Sequence, residues 1–204
     1  MVKMYIDGGF FMHPILVSFI LGLAIGIAKI WTLWRAGINT RQFIEKVRGA
    51  LKEGGTEKAL EVCEATRGPV ASIFHAGLMR SKEGIDYVEK SITNAGSIEM
   101  SFLEKGMVWL GFVIVVAPLL GFTGTVWGMI VAFDAIRVAN DISPAIVAGG
   151  IAQALITTLG GLIVAMTIQL IHNWSTAKID KLIIDMEEAS VQLIDTLVEL
   201  EKRK

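Results

Sequence analysis

Three stretches of this chain run almost without charge, and their lengths organise everything else. Ile15 to Trp34 is a stretch of 20 residues broken by charge only at Lys29, which is the length an α-helix needs to cross a hydrocarbon core of about 30 Å. Gly106 to Phe133 is uncharged over 28 residues and Ile142 to Ile171 over 30. As helices each would be roughly 40 Å long, so both should protrude from a bilayer. Between them lies only DAIRVAND, with Pro144 just beyond, which leaves room for a tight hairpin. The pattern predicts an all-α integral membrane protein with three transmembrane helices. Its segments are 1–14 as an N-terminal segment, 15–34, 107–134 and 144–172 as spans, 35–106 as a helical domain, 135–143 as a hairpin, and 173–204 as an amphipathic tail. Lys3 followed by Asp7, and an apolar run without a small-residue cleavage site, argue for a retained anchor rather than a cleaved signal.

The segment between the first two spans is punctuated. Asn39 or Thr40 can cap a helix carrying Phe43, Val47 and Leu51, which should stop at Gly54-Gly55. Thr56 caps a second helix with Leu60 and Cys63 inward, ending near Gly68, and Pro69 starts a third with Val70, Ile73, Phe74 and Leu78. Beyond Gly84 the pattern Val88, Ile92, Ala95, Phe102, Trp109 has no stop signal, which predicts one continuous helix entering the second span. After the third span, Ile179, Met186, Leu193 and Leu200 recur every seven residues, with Leu182, Ala189 and Thr196 between them. The second and third spans are thus expected to extend into a helical bundle, and the heptads fit packing either within the chain or on a neighbouring subunit.

Charge sets the orientation. Arg35, Arg41, Lys46, Arg48, Lys52, Lys58, Arg67, Arg80, Lys82, Lys90 and Lys105 all fall in 35–106, whereas the hairpin holds only Arg137 and the first 28 residues only Lys3. The positive-inside rule makes 35–106 and the C-terminal tail cytoplasmic and puts the N-terminus on the opposite side of the membrane. Lys29, near a span end, is expected to snorkel, and Trp31 and Trp34 fit an interfacial belt.

Composition narrows the function. The chain is 53% hydrophobic yet 19% charged, part membrane and part water, with a net charge of -1 that offers no field for nucleic acid. The lone Cys63 excludes an intrachain disulfide and reads as a small packed residue. His13, His75 and His172 are scattered, no phosphate-binding loop or nucleophile motif is present, and no cofactor, metal or enzymatic activity is expected.

The sequence PLLGFTGTVWGMIVAFDAI, 118–136, puts hydroxyls and glycines where lipid and helix propensity disfavour both. Helices in lipid associate through small residues that let backbones approach and through polar contacts. Gly121, Gly124 and Gly128 on the second span, with Gly149, Gly150, Ala154, Thr158 and, one turn over, Thr157, Gly161 and Ala165 on the third, supply such surfaces. Of these, Gly121, Gly124, Gly128, Ala154 and Gly161 are the expected helix contacts, with Val113 pointing to lipid. Thr123, Thr125, Thr157 and Thr158 can each bond back to the carbonyl four residues earlier. Together with Gln153, one turn before Thr157, they can instead line a wet stripe that faces a partner's titratable group. Asp134 reads as interfacial.

APLLGFTGTVWGMIVAF followed by GGIAQALITTLGGLIVAM resembles the paired signatures of the MotA/TolQ/ExbB proton-channel family, and DGGFFMHPILV resembles the start of its short ExbB/TolQ branch. The resemblance implies a ring, typically a pentamer, whose second and third helices line a pore. It also implies an ExbD/TolR-like single-span partner dimer in that pore, carrying an essential aspartate, and a TonB/TolA-like energy transducer. Such a motor would convert the proton motive force into work on the cell envelope. By the same resemblance Thr125 and Thr158 are the pore hydroxyls facing that aspartate, with Gln153 and Thr157 beside the ion path. Two positions depart: many members have glutamate where this chain has Gln153, and Ala-Ile-Pro where it has Ala165-Met166-Thr167. Glutamine cannot titrate, which leaves hydrogen bonding or water positioning. A non-conducting membrane scaffold is the alternative from another class; a flagellar or gliding-type stator is a closer one, though the flagellar kind normally has four spans.

Overall fold

A computed structural model describes residues 2–37, 39–139 and 143–201. Asn140, Asp141 and Ile142 of the expected hairpin, and 202–204 of the expected tail, lie outside the described residues. Among the described residues seven α-helices follow in order: α1 Val2–Asp7, α2 Met12–Ala36, α3 Thr40–Ala65, α4 Pro69–Met79, α5 Ile85–Glu104, α6 Met107–Ala139 and α7 Pro144–Glu201. Three helical stretches, containing α2, α6 and α7, are long and apolar enough to cross a membrane. The chain divides into two compact units, one of residues 1–29 and 106–174, the other of 30–105 and 175–204.

In the first unit the apolar parts of α2, α6 and α7 meet in a core of Ile15, Leu110, Val113, Ala117, Val164 and Ile168. Gly22 and Gly26 bring α2 against α7: a methyl built on Gly22 would lie 2.9 Å from Ile168 Cδ1, and one on Gly26 2.9 Å from Ile171 Cγ2. Val113 is buried beside Gly22 rather than turned to lipid, because α6 packs on α2 as well as on α7. Lys29 is also buried, at 5% exposure, so the snorkelling expected at this span end is not observed. The outward faces are consistently large and apolar, with Phe112, Val115, Leu119 and Phe122 on α6 and Leu155, Leu159, Ile163 and Leu170 on α7 all exposed.

The second unit is a helical bundle. Asn39 caps α3 by accepting a hydrogen bond from Gln42 N at 3.3 Å. Gly55 interrupts that helix with φ 68 and ψ -161, so the Gly54-Gly55 signal produces a kink between two helical segments. The core gathers Phe43, Val47, Ile73, Phe74 and Val88 with Leu182, Met186 and Leu193 of α7, all buried. The tail therefore packs within its own chain. Arg48 donates to Thr196 Oγ1 at 3.3 Å, and a methyl on Gly77 would lie 3.5 Å from Leu193 Cδ2.

One expectation fails between these elements. The helix thought to run unbroken from the bundle into the second span stops at Lys105, and Gly106 takes φ 92 before α6 begins. Only glycine adopts that conformation at little cost, so the break is built into the backbone. The third span does continue without interruption into the tail as α7.

Candidate functional site

The contact between α6 and the first half of α7 is made of small residues. On α6, Ala117, Gly121, Gly124, Gly128 and Ala132 are buried at successive spacings of four, three, four and four. On α7, Gly150, Ala154, Thr157 and Gly161 repeat at four, three and four, and all are buried. Both rows follow the one-face periodicity of a helix. A methyl on Gly128 would sit 2.7 Å from the Gly150 carbonyl oxygen and 2.9 Å from Ala154 Cβ, and one on Gly121 2.9 Å from the Thr157 carbonyl oxygen. On Gly161 it would run into the Ala117 carbonyl oxygen. Backbone thus lies against backbone along about four turns, an approach that only glycine and alanine permit.

The threonines divide into two groups on this frame. Thr123 donates to Leu119 O at 2.8 Å and Thr167 to Ile163 O at 2.8 Å, each within its own helix. Thr157 is fully buried against Gly124, and its hydroxyl turns back to Gln153 O at 3.1 Å and Ala154 O at 2.9 Å. These are the local bonds that hydroxyls make when apolar surroundings offer nothing else.

Thr125 and Thr158 behave differently. Their hydroxyls touch each other across the α6–α7 contact. Thr125 Oγ1 also reaches Gly121 O at 3.2 Å and Ala154 O at 3.3 Å, and Thr158 Oγ1 reaches Gly121 O at 3.3 Å. Two protons are shared among two hydroxyls and two carbonyls, so the arrangement has more acceptors than donors. The protons can therefore be redistributed. When both hydroxyls donate to carbonyls, their lone pairs are free to accept; when one donates outward, the other can support it. Both residues are half-buried at the edge of the helix contact, so a third group can reach them.

Gln153 lies elsewhere. It stands five positions before Thr158, which at about 100° per residue places it roughly 140° away around α7. Its side chain is tucked under the N-terminal segment: a methyl on Gly9 would be 2.5 Å from Gln153 Nε2. Next to it Gly8 abuts Ile156, Met12 abuts Gly160, and Phe11 packs against Trp127 with ring centroids 6.4 Å apart. The 153/157 spacing therefore does not produce one polar stripe. Thr157 is enclosed by α6, Gln153 faces the N-terminal segment, and Thr158 is the hydroxyl of α7 that joins the Thr125 site.

Ala117, Ala132 and Gly150 complete the helix contact beyond the residues singled out as its expected members. Their signal was present as small residues four positions from Gly121, Gly128 and Ala154. Asp134 is exposed near the end of α6 and pairs with Arg137.

Three long apolar helices, two of them pressed together by glycine and carrying a shared hydroxyl pair, define a multi-pass helical membrane protein. Residues 65–188 match the MotA/TolQ/ExbB proton channel family. The chain belongs to that family, in its ExbB/TolQ-like branch. It is 33% identical over 180 residues to a protein of Methanothermobacter thermautotrophicus described as a homolog of the biopolymer transport protein ExbB, covering 88% of this chain and 64% of that one. It is 28% identical to the biopolymer transport protein ExbB of Pseudomonas putida, covering 85% and 57% respectively. With the Tol-Pal system protein TolQ of Pseudomonas aeruginosa it shares 33% identity over 125 residues, 56% of this chain and 54% of that one. The chain thus spans between about half and two thirds of the length of these relatives.

Proposed function

We propose that this chain is the ring-forming subunit of an ion-driven motor, converting the proton motive force into mechanical work on the cell envelope. In this reading α6 and α7 line a pore, in a ring that is typically a pentamer. The pore receives an ExbD/TolR-like single-span partner dimer, which passes the motion to a TonB/TolA-like transducer. The chain sits in the inner membrane with its N-terminus periplasmic and its tail cytoplasmic, and it is not an enzyme.

The observation that carries the proposal is the Thr125–Thr158 pair. A carboxylate that gains and loses a proton in a dry pore needs a neighbour able to donate in one state and accept in the other. Two hydroxyls sharing two protons with two backbone carbonyls meet that requirement, and they do so without titrating. Close packing of backbones around them holds the geometry. Ion passage would then turn the partner against the ring.

The test is substitution in the complex with its partner. Thr158→Val keeps the shape and removes the hydrogen bonding, so alone or with Thr125→Val it should abolish energy-dependent function while the complex still assembles. Thr158→Ser should retain much of the activity. Gln153→Ala should be milder in this assay, because Gln153 faces away from the pair. A non-conducting scaffold predicts that valine is silent wherever assembly survives. Full energy-dependent function in an assembled double valine variant would overturn the motor reading.

A further inference from the structure

Outside the helix contact, the second unit holds a cavity of about 550 Å³ formed by the last turn of α2, the junction of α3 with α4, and the end of α5. Its rim carries charge of both signs. Arg35 and Arg67 supply two guanidinium groups, Glu64 and Glu99 two carboxylates, and His75 a ring nitrogen 3.3 Å from Glu64. Glu64 is thereby engaged, and Arg35 stacks over Trp31 at 5.1 Å. Among the described residues, Arg67 and Glu99 have no ion-pair partner although they line the same cavity. The first turn of α4, which starts at Pro69 without a side-chain cap, adds a partial positive charge on the same rim.

The cavity has a particular place along the chain. It includes the end of α2, the first apolar helix, where Trp31 and Trp34 are exposed in the manner of an interfacial aromatic belt. Phe102, also exposed, forms one wall. Aromatic surface and charge of both signs thus occur together at this end of α2. The size falls within the range of small-ligand sites.

We propose that this cavity binds the headgroup of a zwitterionic phospholipid bearing a phosphate and a primary ammonium, as in phosphatidylethanolamine. Arg35 and Arg67 take the phosphate, for which guanidinium groups are suited by their planar fork of donors. Glu99 takes the ammonium, with the His75-paired Glu64 a second carboxylate on the rim. A purely anionic headgroup would satisfy the arginines but face the two carboxylates, and a quaternary ammonium would satisfy charge but offer no N–H to them. The occupied site would tie the end of α2 to α4 and α5 and give this chain a preference among bilayers of different headgroup composition.

The experiment uses the full chain purified in detergent, with its thermal midpoint and oligomer size measured on titration with phosphatidylethanolamine, phosphatidylglycerol or phosphatidylcholine of the same acyl chains. Soluble glycerophosphoethanolamine is a fourth arm. Phosphatidylethanolamine should stabilise most. In Arg35→Gln/Arg67→Gln half-saturation should weaken by about tenfold or more, the effect of losing charge-assisted hydrogen bonds. Arg35→Lys/Arg67→Lys should fall between the two, which guards against a variant that merely misfolds. Glu99→Gln should erase the preference over phosphatidylglycerol, and Arg80→Gln, outside the cavity, should change nothing. Equal stabilisation by all three lipids, an unchanged half-saturation in Arg35→Gln/Arg67→Gln, or an unchanged preference in Glu99→Gln would overturn the proposal. So would glycerophosphoethanolamine acting as strongly as the lipid, which would mark a soluble ligand. A change of oligomer size in the cavity variants would mark the cavity as a subunit contact instead.

Discussion

Adding a single methyl group at Gly128 tests the packing that holds the hydroxyl pair. In Gly128→Ala the new Cβ would lie 2.7 Å from the Gly150 carbonyl oxygen and 2.9 Å from the Ala154 nitrogen. A relaxed carbon–oxygen contact needs about 3.3 Å, so the helices must part by roughly 0.6 Å. Neither neighbour is a flexible side-chain end that could swing away. Overpacking of this kind costs about 1–3 kcal/mol. Alanine's higher helix propensity, worth up to about 1 kcal/mol in water, offsets little, because a span in lipid stays helical when its packing is lost. The net loss is therefore about 1–3 kcal/mol, a factor of roughly 5 to 150 in the packing equilibrium. The assay is the thermal unfolding midpoint of the detergent-solubilised protein, compared with Gly111→Ala and Gly149→Ala, where an added methyl meets nothing within 4 Å. Those controls should be neutral or slightly stabilised. Parting the helices at Ala154 also disturbs the carbonyl that accepts from Thr125, so energy-dependent function should fall with stability. A Gly128→Ala protein as stable as the Gly149→Ala control would refute the reasoning, and leucine at Gly128 should be worse still.

Further expectations follow from orientation and from burial. A cysteine replacing Asp7 should react with an impermeant thiol reagent added outside intact cells, whereas cysteines replacing Glu83 or Glu188 should not; labelling at Glu83 would invert the topology. Cys63 is buried, and desolvation, with the adjacent Glu64 charge, pushes its thiol up from 9.0 to about 12. It should therefore stay unreactive toward thiol reagents below about pH 9 in the folded protein and serve as a silent background for such labelling. The sign for stability follows: an acid raised in the folded state favours folding less as pH climbs from 9.0 toward about 12, since only the unfolded chain ionises in that window. Cys63→Ala should flatten this alkaline slope in thermal unfolding of the full chain, and an unchanged slope would exclude the thiol as its source.

Much of this architecture is written in the sequence because lipid imposes simple demands. A span must be apolar over its length, so uncharged runs marked the three long helices, and backbones can touch only where side chains are small, so Gly121, Gly124, Gly128 and Gly161 announced a packing surface. Asn39 and the Gly54-Gly55 pair acted through local backbone chemistry, which needs no tertiary partner to be legible. Rotation about each helix axis was another matter. α6 is apolar all round, so nothing in its pattern distinguished buried Val113 from exposed Phe112, and only the positions of α2 and α7 decided it. The same rotation separated Thr157 from Thr158: adjacent in sequence but about 100° apart, one falls in the glycine contact and the other at its edge beside Thr125. Lys29 was misjudged because burial depends on what surrounds a side chain, which a span's end does not reveal. The break at Lys105–Gly106 was hidden because glycine is ordinary within membrane helices, and only the backbone turn at φ 92 shows that it is used there as a stop. Residue types thus determined which polar groups the spans hold, and tertiary packing decided which two hydroxyls meet.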